Sequence, residues 1–317
     1  MLPLLDVQHL TVSFGNVPVV RDLSFRLFKG RTLCLVGESG SGKSMTAFSL
    51  MRLVPEPGRI VSGSLLFAGE DLLKLDEKAM RGRRGRDISM IFQEPMTSLN
   101  PVLRIGGQIA EPLEIHQKLS HREALEKAAE LMALVGIPDP HRRLSDYPHQ
   151  FSGGMRQRVM IAMALACSPK LLLADEPTTA LDITIQGQIL RLLGRLARER
   201  DMGVLLITHD LGVVAEAADD VAVMYAGELV EQAPVNAFFE RPLHPYSEGL
   251  MACAPLVGNH DSSRLPSIPG MVPLPSELPE GCAFRPRCPH ASPECLTTPP
   301  LQSMGEGHLV RCWKPLA

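Results

Sequence analysis

The chain contains a glycine-rich stretch whose residue types and spacing suit the binding of phosphate groups. It fits the pattern G-x-x-x-x-G-K-[ST] and consists of Gly37, Glu38, Ser39, Gly40, Ser41, Gly42, Lys43 and Ser44. Glycines let the backbone turn tightly enough to aim successive N–H groups at phosphate oxygens. In such a loop Lys43 would reach the β- and γ-phosphates, and the Ser44 hydroxyl would bind Mg²⁺. The stretch therefore predicts a site for a nucleoside triphosphate.

A second candidate site is a pair of adjacent acids, Asp175 and Glu176, which follows the apolar residues 171–174. Parallel sheets bind their ligands at the carboxyl ends of the strands. Two carboxylates at the end of an apolar strand cost free energy unless they find partners. Mg²⁺ on the phosphates would be a partner for Asp175, and Glu176 would polarise an attacking water. The alternative is a strand that ends at the surface with two solvated acids.

The elements that must position these residues are also predicted by the sequence. Apolar runs typical of buried strands occupy residues 32–36, 88–92, 171–174 and 204–208. Helical patterns occupy residues 45–53 and 152–167. A third helical segment opens with the capping box Ser120-His121-Arg122-Glu123 and ends at Gly136. A fourth is capped by Asp182. This alternation predicts an α/β protein with a parallel sheet, helices on both faces and a helical insertion near residues 94–157. From residue 255 onward the chain is rich in proline, which predicts a loop-dominated tail.

Composition excludes several classes of function. The net charge of −3 and the isoelectric point of about 6.4 give no basic footprint for nucleic acid. A basic run at residues 81–86 is flanked by acids and is typical of a solvated turn. The N-terminus lacks the pattern of a signal peptide, and no apolar run approaches 18 residues. We therefore expect a cytosolic protein that does not itself cross a membrane.

The octapeptide FSGGMRQR at residues 151–158 resembles the signature motif L-S-G-G-Q of the ATP-binding cassette (ABC) ATPases. Ser152, Gly153 and Gly154 match the motif, whereas Met155 stands where glutamine is usual. Together with the phosphate loop and the acid pair, this motif identifies residues 1 to about 240 as similar to that family. The resemblance implies that two ATPase subunits sandwich ATP head to tail. The signature motif of one subunit then contacts the γ-phosphate bound by the other.

The resemblance assigns roles to further residues, each of which is a weak signal alone. Gln93 follows a strand and matches the Q-loop residue that touches Mg²⁺ and senses the membrane partner. Asp182, with residues 180–181, resembles the D-loop, and Phe14 stands where the family stacks an aromatic ring on adenine. His209 matches the switch histidine that holds the γ-phosphate and the attacking water, although a lone histidine after a strand is more often structural. The implied catalytic residues are Glu176, His209 and Gln93, and the implied Mg²⁺ ligands are Ser44, Gln93 and Asp175.

Three features resemble one branch of the family, the dipeptide, oligopeptide and nickel importer ATPases. They are the Q-loop at residues 92–101, the stretch RPLHPY at 241–246, and the tail segments at 265–270 and 281–288. The resemblance implies a P-loop NTPase (RecA-like) fold of the α/β class. An ABC nucleotide-binding domain would occupy residues 1–240, with an antiparallel β subdomain and a helical subdomain inserted at about 94–157. A loop-rich, metal-binding C-terminal extension would occupy residues 241–317.

Four cysteines crowd into the last 36 residues, at Cys282, Cys288, Cys295 and Cys312. In a reducing cytosol such a set indicates metal binding more than disulfides. The C-x₂-C pairs of a zinc ribbon are missing, while four thiolates can also hold a 4Fe–4S cluster. Peptide-importer ATPases that resemble this chain carry such a cluster in the same extension. We therefore favour iron–sulfur, with Zn²⁺ and unligated thiols as the alternatives.

The resemblance implies an ATPase that powers peptide import from the cytoplasmic face of the cell membrane. Its expected partners are a second ABC ATPase subunit, taken to be a homologue, two permease subunits and, indirectly, an extracytoplasmic substrate-binding protein. Import of nickel or a metallophore, of glutathione or of D-Ala-D-Ala remains open, because other subunits select the substrate. A non-transport ABC ATPase of DNA repair or translation is disfavoured by the missing basic stripe. An exporter is disfavoured by the tail.

Overall fold

A computed structural model of the chain describes residues 2–93, 98–178, 182–254 and 267–316. In chain order its strands are β1 (Leu5–Phe14), β2 (Val17–Leu27), β3 (Thr32–Val36), β4 (Gly58–Phe67), β5 (Glu70–Asp71), β6 (Ile88–Ile91), β7 (Leu171–Asp175), β8 (Gly203–Thr208), β9 (Asp220–Tyr225), β10 (Glu228–Pro234), β11 (Gln302–Ser303) and β12 (Leu309–Val310).

The α-helices among the described residues are α1 (Lys43–Leu50), α2 (Glu77–Arg83), α3 (Ile105–Pro112), α4 (His121–Leu134), α5 (Pro140–Arg143), α6 (Gly153–Leu165), α7 (Ile183–Glu199), α8 (Leu211–Ala217), α9 (Val235–Glu240) and α10 (Pro245–Cys253). Short 3₁₀ turns lie at Leu72–Lys74, Pro148–Gln150, Arg285–Arg287 and Pro293–Leu296, and a π-helical turn at Leu113–Gln117.

The chain forms two compact units. The first, called unit 1 below, consists of Met1–Phe28, Thr32–Leu73 and Ile207–Ala317. The second, unit 2, consists of Lys29–Arg31 and Lys74–Leu206. The candidate residues of the phosphate loop lie in unit 1, and the acid pair and the signature motif lie in unit 2.

Unit 1 contains an antiparallel sheet with the strand order β2-β1-β4-β5. Alternate residues of β1 face the core, and Leu5 and Val7, which are 0% and 1% exposed, pair with Leu27 and Phe25 of β2. Period-two alternation of this kind is what a sheet with one buried face requires. The antiparallel β subdomain implied by the sequence is therefore present.

The phosphate loop of unit 1 is carried by a different set of strands. β3 pairs in parallel with β9, β9 pairs antiparallel with β10, and β10 pairs with β12. All five residues of β3 are buried, as expected for a parallel strand covered on both faces. The apolar run at 32–36 was thus correctly predicted to be a buried strand.

The C-terminal tail is held by β12, which pairs with β10 at Glu231↔Val310 and Gln232↔Leu309. The prediction of a loop-dominated tail is confirmed for residues 267–316, where the only elements are two-residue strands and 3₁₀ turns. The strand pairing was not predicted, because two residues are too few for a periodic pattern. Residues 255–266, which include part of the segment 265–270, lie outside the described residues.

Unit 2 contains the parallel pair β6 and β7, in register from Ile88↔Leu171 to Ile91↔Ala174. The predicted capping box is present, because the Ser120 hydroxyl accepts from the Glu123 N–H and the Glu123 carboxylate accepts from the Ser120 N–H. The helix it opens, α4, is followed by Gly136 at φ +78°, as predicted. The domain boundaries at about 94, 157 and 240 stay predictions. Residues 94–97 of the Q-loop lie outside the described residues.

Two other predicted helices are also present. The pattern at 45–53 corresponds to α1, which begins two residues earlier and ends three residues earlier than predicted, and the pattern at 152–167 corresponds to the slightly shorter α6. Across the described ranges, no helix combines the length and the apolar character that a bilayer crossing would need.

Candidate functional site

The phosphate loop joins β3 to α1 in unit 1 and has a backbone that only glycine permits at two positions. Gly37 lies at φ +152°, and a Cβ on it would overlap the carbonyl oxygen of Met224. Gly42 is the N-cap of α1 at φ +98°, with the carbonyl oxygen of Val19 2.8 Å from where a Cβ would lie. The loop is thus packed against its neighbours and leads directly into the N-terminus of α1, the end of a helix that attracts anions.

Lys43 places its charge inside this loop. Its ammonium group donates to the carbonyl oxygens of Gly37 at 2.8 Å and Glu38 at 2.9 Å, and to the Ser41 hydroxyl at 3.3 Å. The Lys43 residue is only 7% exposed. A buried ammonium group surrounded by loop oxygens provides a positive charge where the sequence predicts phosphate binding.

Glu38 is held by side chains from far along the chain. Its N–H donates to the Tyr246 hydroxyl of α10 at 2.8 Å. Its carboxylate accepts two hydrogen bonds from Arg287, at 2.7 and 3.1 Å. The sequence predicted Glu38 as part of the loop, but it gave no signal for either partner, which lie 208 and 249 residues away.

Tyr246 is itself fixed by a buried network. The Nδ1 atom of His244 caps α10 by accepting from the Tyr246 N–H at 3.0 Å, and burial lowers the pKa of His244 to about 4. The carboxylate of Glu231, which is 0% exposed, accepts from the N–H groups of Leu243 and His244 at 2.8 Å. A neutral His244 with an acceptor Nδ1 therefore aligns the residue that holds Glu38.

His209 and the phosphate loop lie on one pocket of unit 1. His209 is exposed, directly after β8, and lines this pocket together with Gly37 and Leu250. The neighbouring Asp210 caps α8 by accepting from the Gly212 N–H at 2.7 Å. The structure therefore brings His209 and Gly37 to the same pocket.

Phe14 ends β1, where it pairs with Val17 and Gly58. Its half-buried ring packs on Gly58, since a Cβ on that glycine would lie 2.6 Å from the Phe14 Cζ atom. The role of Phe14 in stacking on adenine stays a prediction.

In unit 2, the acid pair lies at the end of β7 as predicted. Asp175 is 2% exposed. Glu176 has a left-handed backbone at φ +47°, a conformation that it shares with ten other non-glycine residues of the described part of the chain. The Gln93 side-chain amide donates to the Glu176 carboxylate at 3.1 Å. The structure thus joins two residues that the sequence predicted separately.

The signature motif begins α6. Ser152 is its N-cap, and the Ser152 hydroxyl accepts from the Met155 N–H at 3.3 Å. Ser152 and Gly153 are exposed, while Gly154 and Met155 are half-buried. Further along the same helix, the side chain of Gln157, 1% exposed, donates to the carbonyl of Pro177. The signature helix is therefore bonded to the residue that follows Glu176, a contact that the sequence did not predict.

Asp182 is the N-cap residue of α7 and is exposed, and its side chain makes no capping hydrogen bond. The predicted position of Asp182 at the start of a helix is therefore confirmed. The other D-loop residues, 180 and 181, lie outside the described residues.

The four C-terminal cysteines line one pocket of unit 1, together with His244 and Phe284. The Cys282 N–H donates to the carbonyl of Cys295 at 3.0 Å, and all four thiols are free. Burial, with a smaller contribution from Cys295, raises the pKa of Cys282 to about 11. Among the described residues, however, no group of three or more His, Cys, Asp or Glu side chains is arranged to hold a metal ion.

Comparison with known proteins gives two family matches. Residues 20–179 match the ABC transporter family, and residues 230–295 match the oligopeptide/dipeptide transporter C-terminal region. The chain is 51% identical to a protein of Brucella abortus whose name describes a peptide import ATP-binding protein, across 99% of this chain and 98% of that one. It is 50% identical to the oligopeptide transport ATP-binding protein OppD of Salmonella typhimurium, across 99% of this chain and 94% of that one.

Solved structures agree with these matches. A dimeric bacterial ABC transporter cassette, MJ0796, superposes with a TM-score of 0.66 at 26% identity, and covers 73% of this chain and 98% of its own. A second structure of the same cassette, bound to ADP and Pi in a post-hydrolysis state, gives the same values.

Proposed function

Because the chain belongs to the ABC transporter family, we propose that it is the ATP-hydrolysing subunit that powers import of di- or oligopeptides. The proposal rests on one observation, which is that a nucleotide-binding loop and a peptide-transporter tail occur in the same chain. A complete phosphate loop lies in the region that matches the ATPase family, and the tail matches the oligopeptide/dipeptide transporter region. The relatives named for peptide import and oligopeptide transport match over nearly the whole chain.

The residues of unit 1 bind the nucleotide in this proposal. Lys43 supplies a fixed positive charge for the β- and γ-phosphates, and the N-terminus of α1 adds backbone N–H groups. Phe14 stacks on the adenine, and His209 orients the γ-phosphate from the pocket that it shares with Gly37.

The residues of unit 2 promote attack by water. Glu176 accepts the proton of the attacking water, and Gln93 orients its carboxylate. Mg²⁺ would be held by oxygen donors, the Ser44 hydroxyl, the Asp175 carboxylate and the Gln93 amide oxygen, which suit this hard cation. When bound, it neutralises charge on the phosphates.

The signature motif serves the nucleotide of a partner ATPase subunit. Its support is the exposed start of α6, where Ser152 and Gly153 face solvent. Asp182, exposed at the start of α7, contributes to the same interface. Two permease subunits contact the region after Gln93, where the side chains of Val102 and Leu103 are 76% and 51% exposed. The chain is thus a peripheral subunit on the cytoplasmic face of the membrane.

In this proposal Cys282, Cys288, Cys295 and Cys312 would hold a 4Fe–4S cluster, although their side chains would first have to converge, since they are not arranged around a metal ion in the structure. The support for the proposal is that four free thiols line a single pocket, and thiolates are the usual ligands of such clusters. When bound, the cluster would tie together a tail that has few hydrogen-bonded elements of its own. Protein purified without oxygen should be brown and contain about four irons per chain. Stoichiometric zinc in a colourless sample would contradict this assignment.

Peptide uptake by the complete transporter tests the proposed function. The chain is assembled with its partner ATPase and permeases in vesicles, and peptide, nickel and glutathione are offered with the matching substrate-binding protein. We expect ATP-dependent uptake of di- or oligopeptides that the Lys43→Ala substitution abolishes. ATP-dependent uptake of nickel or glutathione without peptide uptake would overturn the choice of substrate. ATP turnover that no permease stimulates would overturn the role in transport.

A further inference from the structure

An ion pair inside unit 1 connects the cysteine-bearing tail with the phosphate loop. Arg287 ends the 3₁₀ turn Arg285–Arg287, directly before Cys288. Its two terminal nitrogens each donate to one carboxylate oxygen of Glu38, at 2.7 and 3.1 Å. This two-pronged geometry is the strongest that a guanidinium and a carboxylate form, and it fixes direction as well as distance.

The Arg287 side chain is almost completely enclosed. It is 4% exposed, whereas the Glu38 side chain is 32% exposed. The guanidinium lies over the rings of Tyr225 and Phe284, at 5.7 and 5.9 Å from their centroids. Aromatic rings attract a cation that lies over their faces, so Tyr225 and Phe284 stabilise the charge of Arg287.

The remaining donors of Arg287 are also engaged. The Nε atom donates to the carbonyl of Pro269 at 2.9 Å, and one terminal nitrogen donates to the carbonyl of Ile268 at 3.3 Å. Each of the three guanidinium nitrogens of Arg287 therefore has an acceptor, either on Glu38 or on the tail backbone. The bonds to the tail backbone fix the position of the guanidinium group.

At the other end of the ion pair, Glu38 transmits this position to the loop. Its N–H is bonded to Tyr246 and its carbonyl accepts from Lys43. Because the carboxylate, the N–H and the carbonyl of Glu38 are held by separate partners, the peptide groups of Glu38 cannot turn without breaking one of them. Lys43, which the loop needs for its phosphate contacts, is thereby placed through Glu38.

The charge of Glu38 gives the ion pair a second consequence. A carboxylate in a loop that receives a triphosphate repels the ligand, and the repulsion is strong where water is excluded. Arg287 brings a compensating charge within hydrogen-bond distance of both carboxylate oxygens. Removal of Arg287 alone would leave a carboxylate of the phosphate loop without its ion-pair partner.

We propose that Arg287 is a positioning residue for ATP binding, which fixes Glu38 and offsets its charge so that nucleotide affinity depends on the folded tail. The proposal rests on the ATP-binding function proposed above. It extends the nucleotide site to a residue of the C-terminal extension that acts through Glu38.

The first test compares Arg287→Met with Arg285→Met, a matched change two residues away in the same turn. ATP affinity is measured by direct binding to the purified chain, and KM and kcat are measured in the assembled transporter. We expect Arg287→Met to weaken ATP binding and raise KM about tenfold, with kcat changed less. Arg285→Met should stay within twofold. Arg287→Lys should lose about threefold, because lysine keeps the charge but cannot form the fork.

The second test is rescue by charge removal. Adding Glu38→Gln to Arg287→Met should restore ATP affinity to within about threefold of the original, because the uncompensated carboxylate is gone. A purely structural role for Arg287 would give no such rescue. Unchanged affinity in Arg287→Met, or a double variant no better than the single one, would overturn the proposal. If Arg287→Met fails to fold, Arg287→Lys and the double variant decide it. If the unchanged chain does not bind ATP, the proposed function fails instead.

Discussion

Two glutamates stand beside the chemistry of this chain, Glu38 in unit 1 and Glu176 in unit 2, and they are held in opposite ways. The carboxylate of Glu38 accepts from the guanidinium of Arg287, a charged donor whose side chain is 4% exposed. Glu176 accepts from the neutral amide of Gln93, an exposed residue. A guanidinium group that donates two parallel hydrogen bonds holds a carboxylate in one fixed ion pair. A neutral amide orients a carboxylate while leaving its charge able to attract a proton from water.

The backbones of the two glutamates differ as well. Both peptide groups of Glu38 are bonded, to Tyr246 and Lys43. Glu176 instead has a left-handed backbone at φ +47°, and its carboxylate accepts from the side chain of Gln93. We therefore propose that Glu38 supports binding and that Glu176 takes part in a step of the reaction.

The largest effect should come from Glu176→Gln. The substitution preserves shape but removes the base, so ATP turnover should fall by about 10²–10⁴-fold, the usual contribution of a general base. ATP binding should be retained, and the ATP-bound subunits should stay associated. Phosphate release measures turnover, direct binding measures ATP affinity, and size-exclusion chromatography measures the association of the subunits. Glu199→Gln, a matched change at an exposed helix end, should have no effect. Turnover within tenfold of the original would remove Glu176 from the role of base.

A smaller effect is expected from Gln93→Ala. It removes the hydrogen bond to the Glu176 carboxylate, and hydrogen bonds to charged groups contribute about 1.5–3 kcal/mol. We expect kcat to fall at least tenfold, with KM within threefold, because orientation and not affinity is lost. Steady-state phosphate release over a range of ATP concentrations separates the two parameters. A rise in KM with unchanged kcat would show that Gln93 contributes to ATP binding and not to the hydrolysis step.

Tyr246→Phe tests the other glutamate. Burial raises the pKa of Tyr246, so its hydroxyl stays protonated and accepts from the Glu38 N–H. Loss of the hydroxyl should raise KM about threefold and leave kcat within twofold, because only the position of the loop is disturbed. Tyr147→Phe, in unit 2, is the matched control. A fall in kcat that exceeds the change in KM would contradict the division of roles.

The smallest effect on turnover should come from a third carboxylate, Asp87, which like Glu38 is held by arginine side chains. Its Oδ2 atom accepts from Arg86 at 2.7 Å and from Arg83 at 3.1 Å. Burial alone would raise the pKa of Asp87, but these hydrogen bonds outweigh it and the pKa lies below its usual value. The folded state therefore gains stability above the unfolded pKa of about 3.9, and loses it as the pH falls below that value.

Asp87→Asn should accordingly lower the free energy of unfolding by about 1 kcal/mol at pH 7, and by less at pH 3. The rate of ATP turnover should stay within twofold. Urea unfolding at the two pH values measures the difference. An equal loss at both values would show that the charge of Asp87 is not what its partners stabilise.

The features that the sequence predicted are formed by residues close together in the chain, whereas contacts between remote residues were missed. The phosphate loop, the acid pair and the signature helix are local patterns, and β3, β7 and α6 present them as the sequence predicted. The joining of Gln93 to Glu176 follows from the adjacency of β6 and β7, since both residues come shortly after paired strands.

The contacts that sequence reasoning missed bridge remote segments through single side chains. Arg287 lies 249 residues from Glu38, and an arginine beside a cysteine has no pattern that names its partner. Gln157 inside α6 looks like any polar helix residue until the structure places its amide at the Pro177 carbonyl. The strand β12 is two residues long, so only its pairing with β10 reveals it.

The most direct test of the division between the two glutamates is to measure, on the same preparations, the dissociation constant for ATP and the single-turnover rate of hydrolysis at saturating ATP. We expect Glu176→Gln to lower the rate by at least about 10²-fold with the dissociation constant within threefold. We expect Arg287→Met to raise the dissociation constant about tenfold with the rate within threefold. A change of the same parameter by both substitutions would contradict the proposed roles of the two glutamates.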